Sequence, residues 1–256
     1  MARKERIEST TGTYHVMLRG INRQNIFENY EDYKRYKACL ETVKKQSGLK
    51  LLGYCLMSNH IHIALVSGPE PIGTTMKRLS VRYVSWYNRK YNRLGPLFHD
   101  RFKSEPIEDD TYLLSLIRYI HRNPVQAGLC KNLEDYEWSS FAEYMAQDNN
   151  LVDTTYVLEM FSQSTKNRLI LFREFTDKEN ADSFMDISDK VFLSDESVRQ
   201  KMKEVSYARN ASEFQALLID DRNRAVRLMK DAGISIRQIA RVTGISFGVI
   251  RNICRT

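Results

Sequence analysis

A chain of 256 residues, 42% apolar and 28% charged, is long enough to bury one large core or two smaller ones. It has no apolar run approaching the ~20 residues of a membrane helix, its first residues Met1-Ala-Arg-Lys-Glu-Arg6 lack the apolar stretch of a signal peptide, and Cys39, Cys55, Cys130 and Cys254 form no CxxC pair, so a cytoplasmic protein with reduced thiols is expected. The net charge of +7 is unevenly placed: 22 Lys/Arg against 12 Asp/Glu in residues 1–131, 9 against 17 in 132–219, and 8 against 3 in 220–256. Two basic blocks flanking an acidic one suit nucleic acid at both ends, although solvated basic faces produce the same count.

Thr11–Leu18 is rich in β-formers and reads as a first strand, ended by Arg19-Gly20. Residues 21–28 form a loop anchored by Phe27. Tyr33, Tyr36, Leu40 and Val43 recur at helical spacing, giving a helix from Tyr30 to Gln46 that stops at Gly48. Leu49–Met57 and His60–Val66 are strands joined by a tight turn at Ser58-Asn59. After Ser67–Pro71 a helix runs from Ile72 to Tyr91, with Met76, Leu79, Tyr83 and Tyr87 on its buried side and Lys77, Arg78, Arg82, Arg89 and Lys90 opposite. Residues 97–108 read as a fourth, extended strand, in which Pro106 favours an edge position. Asp109 or Asp110 can cap a helix over Thr111–Asn123 that stops near Pro124. The order strand-helix-strand-strand-helix-strand predicts an α+β, ferredoxin-like split βαβ with one further helix behind it and the third strand in a central position.

Residues 132–147 close this domain, with Trp138 and Phe141 as anchors, and 148–219 form an acidic, mostly helical connecting region. Residues 220–256 read as a separate module. It comprises a helix at Arg222–Asp231, a second capped by Ser235, a sharp turn at Val242–Ile245 with Gly244 in the left-handed position, and a third at Ser246–Cys254. Ile236, Ile239, Ala240, Ile245, Val249, Ile250 and Ile253 suit a small trihelical core, the pattern of a helix-turn-helix. A plain helical bundle has the same periodicity.

One triplet stands apart. Side chains alternate across a strand, so His60 and His62 share a face while Ile61 and Ile63 point into a core. Two imidazoles side by side can hold a divalent ion, or can be two polar residues at a sheet edge. The helix at 111–123 offers partners, because Tyr119 and Asn123 lie four residues apart on one helix face. Asn123 could give a carbonyl oxygen to a metal and Tyr119 could attack a phosphodiester held there. Tyrosine titrates near ~10, so its phenolate needs a cation beside it, which Arg118 or Arg122 could assist. Tyr119 is equally readable as one core aromatic among 14 tyrosines.

The chain resembles the single-tyrosine transposases of the insertion-sequence 200/605 type, whose signature is a His-hydrophobic-His (HUH) motif, and within them the REP-associated tyrosine transposase branch. The resemblance is carried by Tyr14-His15-Val16 through Arg19-Gly20, Phe27, Met57-Ser58-Asn59-His60-Ile61-His62, Tyr87-Asn88 and Gly95-Pro96-Leu97-Phe98. It continues through Arg101-Phe102-Lys103-Ser104, Tyr119-Ile120-His121-Arg122-Asn123-Pro124-Val125, Ala127-Gly128-Leu129 and Trp138-Ser139-Ser140. It implies that His60, His62 and Asn123 hold Mg²⁺, or Mn²⁺ in its place, and that Tyr119 is the nucleophile. The implied reaction is cleavage and rejoining of single-stranded DNA beside hairpin repeats through a 5′-phosphotyrosine, in a bacterial, nucleoid-associated setting. Lys77, Arg78, Arg82, Arg101, Lys103, Arg118 and Arg122 are the expected DNA contacts of this domain, and Arg237 and Arg251 those of the terminal module, which would bind double-stranded DNA. Tyr83, Tyr87 and Tyr91 are expected to pack or to touch DNA. His15 is expected in the core or behind the ligands, and His99 and His121 are weaker candidates for phosphate contact. The simplest relatives end soon after the tyrosine helix and act as dimers, whereas the extra C-terminal region here favours a monomer. A DNA-binding protein that has lost catalysis is the alternative, and the intact His60, His62, Tyr119 and Asn123 argue against it.

Overall fold

A computed structural model describes residues 7–179, 184 and 195–254. The chain divides into two compact units, Met1–Asp186 and Ile187–Thr256. The first contains β1 (Thr13–Arg19), α1 (Tyr30–Ser47), β2 (Lys50–Leu56), β3 (His60–Val66), α2 (Ile72–Lys90), β4 (Lys103–Ile107) and α3 (Asp110–Gln126), followed by α4 (Phe141–Ala146), α5 (Thr154–Leu158) and α6 (Thr165–Asp177).

The four strands form an antiparallel sheet in the order β2-β3-β1-β4. β3 is therefore central, and β4, with Pro106 in it, is an edge. Asn29 caps α1 through a capping box with Asp32, and Gly48 ends that helix in the left-handed region at φ 69°. The β2–β3 connection is as tight as its two residues suggest: the Met57 N–H donates to the His60 carbonyl at 2.9 Å.

The two sheet faces differ. Val16, Leu18, Tyr54, Leu56, Ile61 and Ile63 share one face by register, and all are fully buried or nearly so. This is the α1 side, where Lys37 lies 5.3 Å over the Tyr54 ring, and α1 packs in turn on α2. On the opposite face α3 crosses β2, β3 and β4. Gly53 faces this helix, and a Cβ there would sit 2.9 Å from Ile117 Cδ1, so the missing side chain sets how closely α3 approaches.

Three expectations need correction. The fourth strand covers only Lys103–Ile107, because Leu97–His99 bond instead to the end of β1 and the turn after it: the Ile21 N–H donates to the Leu97 carbonyl and the His99 N–H to the Arg19 carbonyl, both at 2.9 Å. α3 does not stop at Pro124 but includes it and ends at Gln126, with Gly128 at φ 70° turning the chain away. A proline one turn from a helix end removes a single backbone bond, which the short remaining segment tolerates. The region 148–219, expected as an acidic helical connection, is divided between the two units: Val152, Val157, Leu158 and Phe172 are buried in the first, while Val198, Met202 and Phe214 are buried in the second. Acidic surface residues mark this stretch, but its apolar positions decide which core each part joins.

The second unit contains α7 (Asp195–Ser206), α8 (Ala211–Gln215), α9 (Ile219–Asp231), α10 (Ile236–Thr243) and α11 (Phe247–Ile253). The Ser235 hydroxyl caps α10 by accepting from the Gln238 N–H, and Gly244 ends it at φ 70°. Ile239, Ile250 and Ile253 are buried and Ile236, Ala240 and Ile245 partly so, but Val249 is 43% exposed. In a seven-residue α11, Ile250 and Ile253 define the inner stripe and Val249 falls outside it. No described helix is long and apolar enough to cross a membrane.

Candidate metal and nucleophile site

Register builds the site. Arg19 lies opposite His60, Met17 opposite His62 and Lys103, and His15 opposite Ala64 and Glu105. Directly opposed residues share a face, as do alternate residues along a strand. His60, His62, His15, Arg19, Lys103 and Glu105 therefore all project from the α3 face of the sheet.

α3 supplies the rest. Asn123 Oδ1 lies 3.3 Å from His60 Nε2, and the other nitrogen of that ring, Nδ1, is 2.7 Å from Asn59 Oδ1. With the ring proton on Nδ1 and donated to Asn59, Nε2 and Asn123 Oδ1 face one another as two acceptors. A proton or a cation has to lie between them. Ligands at right angles around a divalent ion with bonds near 2.1 Å are themselves about 3 Å apart, which is close to the observed spacing. His62 is fully buried, and its Nε2 has no hydrogen-bond partner among the described residues, while its Nδ1 lies 3.0 Å from His15 Nε2. Burial, reinforced by His15 and His60, holds the His62 ring well below the usual histidine range, so it is neutral and able to ligate. The donor set fits a small oxygen- and nitrogen-binding divalent ion. Among the described residues no three His, Cys, Asp or Glu side chains converge, and the polar group that faces His60 Nε2 is the Asn123 amide.

Tyr119 is 5% exposed and stands beside this pair. Its ring meets His62 edge-on at 5.4 Å between centroids, with His15 at 6.5 Å and Phe184 at 5.0 Å. The tyrosines of α2 are differently placed. Tyr83 donates to the Ile26 carbonyl, Tyr91 donates to Asp32 at 2.8 Å, and Tyr87 lies 3.4 Å from the Asn25 carbonyl. Burial raises the Tyr83 hydroxyl far above the usual phenol range and that of Tyr87 to about 12, and the three serve packing.

The basic residues divide. Lys77, Arg101 and Lys103 are exposed, and Lys77, His99 and Arg101 edge a cleft of about 750 Å³ between α2 and residues 96–102, floored by Leu97, Phe98 and Phe102. Arg78 is paired with Glu70. Arg82 is partly buried, and its Nε has no partner among the described residues. Arg118 lies 4.3 Å over the Phe175 ring, and Arg122 is buried, donating to the Asp177 carbonyl and facing Glu179 at 3.8 Å. Both point to α6 and the residues after it, because positions 118 and 122 lie one helix residue round from Tyr119 and Asn123. Arg122 is thus an internal tie between α3 and the end of α6 and not an open phosphate contact. His121 is likewise internal, fully buried, 2.7 Å from Ser140 Oγ and pushed down to about 3 by burial. Arg237 and Arg251 are exposed on α10 and α11 of the second unit.

Arg19, Glu105 and Phe184 at this site escape a reading of the sequence. Arg19 and Glu105 become neighbours of the histidines only through the β1–β3 and β1–β4 registers, which no local pattern encodes. Phe184 reaches Tyr119 from 65 residues downstream.

The pattern of the family described as "Transposase IS200 like" matches residues 8–123. Among solved structures, the chain is similar to a REP-associated tyrosine transposase bound to a REP hairpin, with a TM-score of 0.50 and 18% identity over 58% of this chain and 88% of that one. At that identity the likeness is one of fold. A crystal structure from Deinococcus radiodurans R1, described as a candidate transposase, matches 47% of this chain and 97% of its own at 19% identity, with a TM-score of 0.34. No curated protein matches the chain. Residues 8–123, which hold the histidine pair of β3, Tyr119 and Asn123, form one continuous match to the IS200-like transposases.

Proposed function

We propose that the chain is a metal-dependent transposase that cleaves and rejoins single-stranded DNA beside hairpins through a 5′-phosphotyrosine. The observation that carries this reading is the pairing of His60 Nε2 with Asn123 Oδ1 across 3.3 Å, one helical turn from Tyr119. His60, His62 and Asn123 would hold Mg²⁺ or Mn²⁺, which polarises the scissile phosphate and offsets charge on the attacking and leaving oxygens. Tyr119 Oη forms the bond to phosphorus and the P–O3′ bond breaks. The phenolic proton passes to solvent, and the departing O3′ takes one up. A 3′-OH later reverses the step, so the bond energy is kept and no nucleotide triphosphate is consumed. The enclosure of Tyr119 by His62 and Phe184 fixes its ring and limits water that would compete with the returning 3′-OH.

Lys77, Arg101 and Lys103 are the exposed cations placed to follow a DNA backbone, with Arg19 nearest the histidines. Hairpin DNA as substrate is supported by the fold shared with a transposase solved on a REP hairpin. The second unit acts as a helix-turn-helix on double-stranded DNA, with Arg237 and Arg251 exposed on its last two helices and Phe247 and Val249 beside them. That added affinity lets the protein act as a monomer.

The test is incubation with labelled single-stranded DNA carrying the hairpins that flank its gene, with and without Mg²⁺. A covalent adduct that needs the metal and disappears in Tyr119→Phe is expected. Binding without any adduct would instead make the protein a catalytically silent repeat-binding factor. An adduct that survives Tyr119→Phe but not Tyr83→Phe or Tyr87→Phe would name a different nucleophile.

A further inference from the structure

His62 can give a lone pair from Nε2 only if its ring proton sits on Nδ1. That nitrogen faces His15 Nε2 at 3.0 Å, with both rings fully buried and their planes 25° apart. Two neutral imidazoles in this arrangement share one proton, and there are two ways to place it. If His15 donates, His62 carries its own proton on Nε2, aimed at the site, and repels a cation. If His62 donates, its Nε2 lone pair faces the site.

The other nitrogen of His15 decides between them. His15 Nδ1 faces Glu105 Oε2 at 4.0 Å, across the β1–β4 pair in which the two residues are directly opposed. At that length the contact is electrostatic more than a formed hydrogen bond. A carboxylate favours an N–H facing it over a lone pair. Burial raises the Tyr112 hydroxyl on α3 above the usual phenol range, and Glu105 lies close enough to raise it further. A proton on His15 Nδ1 leaves a lone pair on His15 Nε2, which then accepts from His62 Nδ1.

We propose that Glu105 and His15 form a relay across three strands that fixes His62 with its proton on Nδ1 and its lone pair on Nε2. The two are positioning residues, acting on the ligand and not on DNA. Asn59 plays the same part for His60 through Nδ1 at 2.7 Å, so each ligand has its own device for setting the tautomer. The role of the relay in metal capture rests on the proposed metal site, but the proton placement itself does not.

The proton placement is read directly in metal-free protein by long-range ¹H–¹⁵N correlation of ¹⁵N-histidine, which distinguishes the two tautomers. Wild type is expected to show Nδ1–H on both His15 and His62. Glu105→Ala, at a partly exposed edge-strand position, and His15→Phe should both move the His62 ring toward Nε2–H. His15→Gln, whose amide oxygen can accept from Nδ1, should restore the wild-type form. A Mn²⁺ titration followed by electron paramagnetic resonance should show affinity about 10- to 100-fold weaker in Glu105→Ala and His15→Phe and near wild type in His15→Gln. Thermal melts establish that each variant is folded. Nε2–H on wild-type His62, or a His62 tautomer indifferent to both Glu105→Ala and His15→Phe, overturns the relay. The expected tautomers with no Mn²⁺ binding in wild type uphold the relay and overturn the metal site instead.

Discussion

The two faces of the sheet are differently made. On the α1 side the register lines up Val16, Leu18, Tyr54, Leu56, Ile61 and Ile63, and the only polar atom among these side chains, the Tyr54 hydroxyl, reaches Glu143. On the α3 side the same strands present His15 and His62 fully buried, with the His62 Nε2 left without a hydrogen-bond partner among the described residues. An unsatisfied buried polar atom costs about 1–3 kcal/mol, so folding alone gives no reason to put it there. Alternating residues of one strand thus serve opposite ends: the isoleucines of β3 hold the fold and its histidines draw on that stability.

That contrast can be broken most sharply at His62. His62→Leu is expected to lower Mg²⁺-dependent adduct formation by about 10³-fold or more, with the circular-dichroism melting temperature held or raised. A fall in melting temperature comparable with the loss of activity would make His62 a structural residue. The mirror experiment is Ile63→Ala, one residue along the strand. It should cost about 2–5 kcal/mol in urea unfolding and leave Mn²⁺ affinity in the folded protein unchanged. Weakened Mn²⁺ binding there would mean that the two faces are mechanically coupled.

A third effect comes from pH. His121, buried on the α3 side, titrates near 3 in the fold against about 6.5 when unfolded. The unfolded chain therefore binds a proton that the folded chain refuses. The His121 contribution to stability is constant above pH 6.5 and falls as pH drops toward 3, by about 2 kcal/mol between pH 6.5 and 5. Unfolding titrations in the presence of a chelator should show this slope, and His121→Gln should flatten part of it. An identical slope in the variant would remove His121 as a cause. Smallest is Lys103→Ala, expected to weaken hairpin binding a few-fold and to reduce the salt slope by about 1. If it lowers turnover but not binding, Lys103 contacts the reacting phosphate and not the flanking backbone.

Much of this was legible in the sequence where the signal is local. His60–Val66 is a strand as read, because alternation and the two-residue turn both specify it. Met76, Leu79, Tyr83 and Tyr87 are buried as their spacing requires. Asp109 caps α3 and Ser235 caps α10. What is not local was less legible. The orientation of Arg118 and Arg122 depends on where α6 returns, and the neighbours of His62 depend on how β1 pairs with two other strands. Pro124 misleads for a different reason: a proline signals a helix end, but not whether the chain has a turn left to spend.

The turn at Ser58-Asn59 has one further consequence. Because strand side chains alternate, inserting or deleting one residue there, with β2 held in place, would slide β3 by one position and send both imidazoles to the α1 side, with isoleucines in their stead. Asn59 would leave Nδ1 of His60 at the same stroke. The length of that loop is therefore a reading frame for chemistry. Laboratory evolution of this protein should accept substitutions at Ser58 far more readily than any change in the number of residues between β2 and β3.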